Sequence, residues 1–215
     1  VKLVLHNYWR SSASHRVRIG LHLKQLPFEY VPVNLLKSEQ RDDTYRAKNP
    51  MGHVPALEIV EDDGTVRTLT QSLPILEYLD ERWRGHPLLP ADIYLRARAR
   101  GIAEVINSGI QPHQNLSTSK KLKAIGADDA VWSKDFITDG LVAVAKLVSD
   151  VGGAFCVGDA PSIADCCLVP QLAAARRFGV DPTQFPQLVA IEERCLALPA
   201  FVAAAPANQV DAIKS

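Results

Sequence analysis

Around residue 84 the period of this sequence changes, and that change limits the possible fold more than any other feature. Before it, short apolar runs alternate with helical stretches; after it, only helical spacing continues. Val1 to Leu5 is an apolar run with β-branched residues, suited to a buried strand. From Ser14 to Leu26 the pattern is helical, with Ile19, Leu23 and Leu26 on one stripe and Arg18, His22 and Gln25 on another. Pro27 stops that helix, and Phe28 to Val33 reads as a second strand. A polar stretch from Lys37 to Lys48 follows. Strands over Ala56–Glu61 and Thr65–Thr70 then flank Asp62-Asp63-Gly64, a hairpin turn with glycine where positive φ is needed. Ser72 is expected to cap a helix carrying Leu73, Leu76 and Leu79. The order βαβ, irregular, ββα predicts a compact α/β layer domain over 1–83.

Arg84-Gly85-His86-Pro87-Leu88-Leu89-Pro90 has the prolines and glycine of a linker, placed at 84–90. Beyond it, 91–215 is expected to form an all-α domain. Leu95, Ala99, Ile102 and Ile106 keep helical spacing, and Phe136 to Val151 forms another helix. Ser162-Ile163-Ala164-Asp165 fits a capping-box variant, the serine capping and the aspartate reaching back. Pro170 should kink that helix or lie near its end. The fold class is therefore α/β plus all-α.

Several function classes lack the residues they require. Twenty-four basic residues balance twenty-four acidic ones, so no net field favours nucleic acid or an anionic membrane. No apolar run approaches a bilayer span, and Val1 to Leu5 is too short for a signal-peptide core. Cys156, Cys166, Cys167 and Cys195 show neither CxxC nor a metal-ligand spacing. They read as small buried hydrophobes in a reducing compartment, so a cytoplasmic location is expected. The histidines are scattered without an HExxH, and no metal site is expected.

One loop concentrates chemistry. Asn7-Tyr8-Trp9-Arg10-Ser11-Ser12-Ala13-Ser14-His15-Arg16 joins the first strand to the first helix. Its hydroxyls gather at a helix N-terminus, where unpaired N–H groups and the dipole favour an anion. A single serine there is usually only a cap; three serines between Arg10 and Arg16 shift the reading toward an anion site. The loop has no cysteine, so a reacting sulfur has to come from a ligand. A free thiol near pKa ~8.5 is only about 3% thiolate at neutral pH. Lowering it two units takes ~2.7 kcal/mol. A helix terminus at ~0.3–1 kcal/mol and one hydrogen bond to charge at ~1.5–3 kcal/mol can supply that. Asn49-Pro50-Met51-Gly52-His53-Val54-Pro55-Ala56-Leu57 puts a proline at a strand start or tight turn, a place compatible with a cis peptide. Gln71-Ser72 offers N–H groups and a hydroxyl at another helix start, although capping alone also explains Ser72.

Together these residues resemble the zeta class of glutathione transferases, which includes maleylacetoacetate isomerases. Ser11-Ser12-Ala13-Ser14-His15-Arg16-Val17-Arg18-Ile19 resembles the class signature SSCxWRVRIAL, with alanine for cysteine and histidine for tryptophan. The Asn49–Leu57 segment, Gln71-Ser72, the Gly109–Ser117 run and Val157-Gly158-Asp159 with Ala164-Asp165 follow in the same order. The resemblance spans essentially the whole chain. It implies a thioredoxin-like N-terminal domain, a helical C-terminal domain and a homodimer, with glutathione as cofactor. Ser11, and Ser12 second, would stabilise the thiolate, among contacts from Ala13, Ser14, His15 and Arg16. Val54 before cis Pro55 would pair its backbone with the cysteinyl part. Gln71 and Ser72 would hold the γ-glutamyl carboxylate; Gln40 would touch the tripeptide, and Gln111, Asn115, Leu116 and Ser117 would approach from the helical domain.

The activity so implied is cis–trans isomerisation of a small unsaturated diacid. The thiolate adds to the double bond, rotation follows, and elimination returns glutathione unchanged. Arginine forks suit the substrate's carboxylates. Arg10 beside the loop is the first choice and Arg176 the second, with Arg177 next to it; a solvated helix face explains that pair equally well. Arg176-Arg177, His15 and Trp9-Arg10 resemble the maleylpyruvate isomerases, whereas Gln111 to Ser117 resembles the maleylacetoacetate enzymes, and maleylacetoacetate is the expected substrate on overall resemblance. Alternatives are a transferase that conjugates or dehalogenates small haloacids and a non-enzymatic transferase-like binding module. His53 and His113 read as bystanders.

Overall fold

The computed structural model describes residues 1–213. It forms two compact units, one of Val1–Leu88 together with the chain from Pro199 onward, the other of Leu89–Leu198. The first holds a four-stranded mixed sheet in the order β2-β1-β3-β4, with β1 Lys2–Asn7, β2 Glu29–Pro32, β3 Ala56–Val60 and β4 Val66–Thr70. The β1–β2 pair is parallel, and the other two are antiparallel. Parallel strands need a crossover, which α1 (Ser12–Leu23) provides. The β3–β4 hairpin turns at Gly64, whose φ of +83° bears out the glycine reading.

Alternation decides which side chains are buried. Leu3 and Leu5 oppose Ile59 and Leu57 across the β1–β3 ladder and face Val17 and Leu21 of α1. Ile75 and Leu79 of α3 (Ser72–Arg82) complete this cluster. Each such side chain contributes about 1.5–3 kcal/mol by leaving water. On the other face Tyr8, Val33, Val54 and Ala56 pack with Tyr45 of the short α2 (Asp43–Arg46). A Cβ at Gly20 would sit 2.2 Å from Leu76 Cδ2, so a glycine there lets α1 and α3 approach closely.

Three expectations need correction in this unit. Helix α1 begins at Ser12 rather than Ser14, because Ser11 caps it. Arg18, within that helix, is fully buried, as polar backbone groups converge on it. Ser72 does not cap α3; Gln71 occupies the cap position without a side-chain bond, and Ser72 is the first helical residue. The chain from Pro199, expected within the helical region, also packs with the first unit. Its helix α9 (Pro199–Ala204) lies against α1, and the Ala204 carbonyl accepts a bond from Arg18 Nε at 3.0 Å.

The second unit is helical. It contains α4 (Ile93–Glu104), α5 (Leu116–Ala124), α6 (Asp129–Val151), α7 (Ile163–Arg177) and α8 (Pro186–Leu196). A π-helical turn over Val105–Ile110 and a 3-10 turn over Gln111–Gln114 extend α4 directly. Ala99, Ile102 and Ile106 are buried, as their spacing predicts. The capping box forms at α7: Ser162 Oγ accepts the Ala164 N–H at 3.2 Å, and Asp165 accepts the Ser162 N–H at 2.8 Å. Pro170 is inside α7 and not near its end. The four cysteines are buried and form no disulfide.

Candidate active site

Ser11 has extended backbone angles, and its hydroxyl accepts the Ser14 N–H at 3.2 Å. That bond satisfies one of the four unpaired donors of the first turn. Ser12 and Ala13 follow as half-buried first-turn residues, and no acidic residue lies in that turn. The positive end of α1 therefore has no counter-charge within its own turn, which suits an incoming anion. Ser14 is buried, and its hydroxyl turns back to the Tyr8 N–H at 3.5 Å. His15 is buried too; burial and then the Arg18 charge push its imidazole down to about 3. The ring is neutral across the physiological range.

The N-terminus of α3 is tied to that of α1. Buried Arg16 donates from Nη1 to Ser72 Oγ at 3.2 Å. A serine hydroxyl that accepts from a guanidinium still has its own proton to give, and the first turn of α3 adds backbone N–H groups. Gln71, exposed before it, has φ +69° and ψ 128°. A side chain at positive φ costs on the order of 1–3 kcal/mol, and such residues concentrate at ligand clamps.

Two further segments complete the first-unit set. The Val54–Pro55 bond is cis, and Val54 lies before β3, whose ladder begins at Ala56. The preceding turn is fixed by Tyr45 Oη and Asn49 Nδ2, which donate to the His53 carbonyl at 2.6 and 2.7 Å. Gly52 has φ +60°, and a Cβ there would lie 2.8 Å from the Gln40 carbonyl oxygen, so this turn and the Gln40 segment demand a glycine where they meet. Gln40 is half-buried, and its Oε1 has no partner among the described residues.

The loop before α1 is fastened from beneath. Arg18 Nη1 donates to Asn7 Oδ1 at 2.9 Å and to the Tyr8 carbonyl at 3.4 Å, while Nη2 donates to the Trp9 carbonyl at 2.9 Å. Burial lowers the guanidinium to about 10, with Tyr30 and Asp211 acting against that shift. Arg10, exposed at the loop's end, stacks over the Trp9 ring at 5.7 Å. Sequence reasoning did not single out Arg18 or Asp211 for this site. A charged residue between Val17 and Ile19 was the only local signal for the first, and Asp211 had none.

In the second unit Gln111 opens the 3-10 turn, Asn115 is the cap residue of α5, and Leu116 and Ser117 form its first turn. Arg176, in the last turn of α7, makes a two-pronged ion pair with buried Glu192, at 2.7 and 2.5 Å. A carboxylate already holds the fork that was expected for substrate. Arg177 lies over Phe178 at 5.2 Å.

Residues 10–82 match the family described as glutathione S-transferase, N-terminal domain, and residues 141–199 match its C-terminal domain. Probable maleylacetoacetate isomerase 2 of Drosophila melanogaster is 46% identical over 214 residues, which is 98% of this chain and 91% of that one. A crystal structure of maleylacetoacetate isomerase from Anaeromyxobacter dehalogenans 2CP-1, with glutathione bound in its active site, superposes with a TM-score of 0.92. It is 48% identical, covering 99% of this chain and 98% of its own. The holo structure of a bacterial maleylpyruvate isomerase of the zeta class gives a TM-score of 0.90 at 40% identity, over 98% of this chain and all of the other (100%). Similarity of that extent, with both domains matched in order, means that the chain belongs to the zeta class of the glutathione S-transferase family.

Proposed function

We propose that this chain is a glutathione-dependent cis–trans isomerase of a small unsaturated diacid, converting maleylacetoacetate to fumarylacetoacetate. The observation that carries the reading is the bond from Arg16 to Ser72, which couples two helix N-termini within one domain. Two such termini suit a ligand with two separate anions, and glutathione offers its thiolate and its γ-glutamyl carboxylate. The donor set fits it. Ser11 and Ser12 would face the sulfur, Val54 the cysteinyl backbone, Gln71 and Ser72 the γ-glutamyl carboxylate, and Gln40 the remaining peptide.

Glutathione supplies the thiolate that adds to the double bond and leaves after rotation. The chain's own work is to hold charge. The Ser11 hydroxyl and the α1 terminus favour the ionised sulfur, by ~1.5–3 and ~0.3–1 kcal/mol respectively. Arg10 meets a substrate carboxylate and is not consumed elsewhere in an ion pair with a described residue. His15, neutral and buried, takes no proton at working pH. Among the described residues no helix is long and apolar enough to cross a membrane. A cytoplasmic homodimer is part of the proposal and rests on the family.

Maleylpyruvate is the second reading, favoured by the likeness to the bacterial maleylpyruvate isomerase at 40% identity. Incubating the purified protein with each diacid, with and without glutathione, separates them. Glutathione-dependent loss of the cis isomer without thiol consumption is the expected result, and the larger kcat/KM names the substrate. Consumption of thiol by chloroacids, with neither diacid isomerised, would replace this reading with a conjugating transferase.

A further inference from the structure

The loop that presents Arg10 is held on two sides by charged groups, one from the neighbouring helix α1 and one from far along the chain. Arg18 takes the carbonyls of Tyr8 and Trp9. On the other side, the Trp9 N–H donates to Asp211 Oδ2 at 3.1 Å, across 202 residues of sequence. The second oxygen of Asp211 accepts a hydrogen bond from the Tyr30 hydroxyl of β2. Both polar backbone groups of Trp9 are therefore fixed by side chains of opposite charge. Asp211 also lines a cavity of about 240 Å³, together with Tyr8, Trp9, Asn34, Glu39 and Ile213. Nothing else attaches the chain after Gln209 to this loop among the bonds of the described residues.

We propose that Asp211 is a positioning residue: by fastening Trp9 from the C-terminal segment, it fixes where Arg10 stands to receive the substrate carboxylate. The proposal rests on Arg10 binding the diacid. Two features give it direction. Arg10 follows Trp9 directly and stacks on its ring, so a shift of the Trp9 backbone moves the guanidinium with it. The Ser11 hydroxyl, in contrast, has its own cap bond to Ser14 and makes none to Asp211. Loss of Asp211 should therefore disturb recognition of the diacid and spare the thiolate.

The test is a double-mutant cycle on the glutathione-loaded full chain, with Asp211→Ala, Arg10→Ala and the pair, and with Asp211→Asn as the conservative variant. Each is assayed with the diacid and with dimethyl maleate, which has the same cis double bond and no carboxylate. Asp211→Ala should raise the KM for the diacid about tenfold and leave the glutathione KM and the dimethyl maleate rate within twofold. Asp211→Asn, which keeps an acceptor for Trp9, should recover most of that loss. In the Arg10→Ala background Asp211→Ala should cost nothing more. Equal loss on both substrates, or the same loss without Arg10, would show a merely structural role and sink the proposal while Arg10 stands. An unchanged diacid KM in Arg10→Ala would instead remove the reading of Arg10 beneath it, and the proposal with it.

Discussion

Arg16 Nη1 and Ser72 Oγ lie 3.2 Å apart, although 56 residues separate them in the chain. The bond joins the first turn of α3 to α1 in a buried setting, where a hydrogen bond to a charged group is worth about 1.5–3 kcal/mol. Because the hydroxyl accepts from arginine, its proton is turned over to a third group, and the glutathione γ-glutamyl carboxylate is the one proposed.

Replacing Ser72 with alanine removes both bonds of that hydroxyl. Ser72→Ala is expected to raise the KM for glutathione about tenfold, equivalent to ~1.4 kcal/mol. With glutathione saturating, kcat should stay within twofold. Ser72→Thr, which keeps the hydroxyl, should restore the KM. Steady-state kinetics at varied glutathione checks this, and an unchanged KM in the alanine variant would remove Ser72 from the site.

Ser11 and Ser12 should separate by stability as well as by rate. Ser11 caps α1, so Ser11→Ala loses about 1 kcal/mol of folding stability from the cap. If its proton also stabilises the thiolate, kcat/KM falls on the order of 10–100-fold. Ser12 makes no cap bond; Ser12→Ala should leave stability within about 0.5 kcal/mol and cost less than tenfold in rate. Urea midpoints measured beside the kinetics decide it. A Ser12 variant with the larger rate loss and no stability loss would transfer the thiolate role from one serine to the next.

Where the sequence signal was local, it could be read. The Ser162–Asp165 box is an i, i+3 relation, and Asp62-Asp63-Gly64 sits between two alternating runs, so both were legible without tertiary knowledge. Arg18 shows the limit. Helical spacing put it beside His22 and Gln25, yet its burial depends on carbonyls of Tyr8, Trp9 and Ala204, and the last of these comes from 186 residues away. The Ser72 cap failed for a related reason. Serine favours the cap position intrinsically, but here Arg16 engages its hydroxyl and Gln71 takes the strained turn into the helix. The extension of α4 into a π-helical turn gave no warning either, since apolar spacing through Ile106 suits both geometries. The motifs of the proposed glutathione site could be picked out in order; the clamp around Trp9 could not, because Tyr30 and Asp211 reach it from separate segments.

His15 predicts a loss of stability in mild acid. Its imidazole is pushed down to about 3 in the folded protein by burial and then by Arg18, against ~6.5 when unfolded. The unfolded chain therefore binds a proton that the folded one refuses. The contribution is fully present above pH ~6.5 and is lost as pH falls toward 3, by up to ~1.4 kcal/mol per pH unit. His22 and His53 are lowered by burial as well and act in the same sense, so the wild-type slope is a sum. Unfolding by urea at pH 7, 5.5 and 4.5 in wild type and His15→Leu isolates the His15 part. The variant's stability should decline less steeply, and parallel profiles would mean that His15 is protonated in the folded state.

Asp165 tests how far a fully buried carboxylate supports the helical unit. It accepts the N–H of Cys156 at 2.9 Å, the N–H of Ser162 at 2.8 Å and the Ser162 hydroxyl at 2.9 Å. Burial raises its pKa, and the bonds from Cys156 and Ser162 oppose that rise. Asp165→Ala would leave two buried N–H groups unpaired at ~1–3 kcal/mol each and break the capping box. The expected destabilisation is about 3–5 kcal/mol, large enough to threaten folding. Asp165→Asn keeps one acceptor oxygen and should lose roughly half as much. Any folded fraction of either variant should bind glutathione with near-normal affinity, because none of the residues bonded to the carboxylate, Cys156, Ser162 and Cys195, belongs to the proposed glutathione site. Denaturant unfolding followed by glutathione titration of the asparagine variant checks both parts. A stable Asn variant with weakened glutathione binding would mean that this capping box acts on the site and not only on the helix it starts.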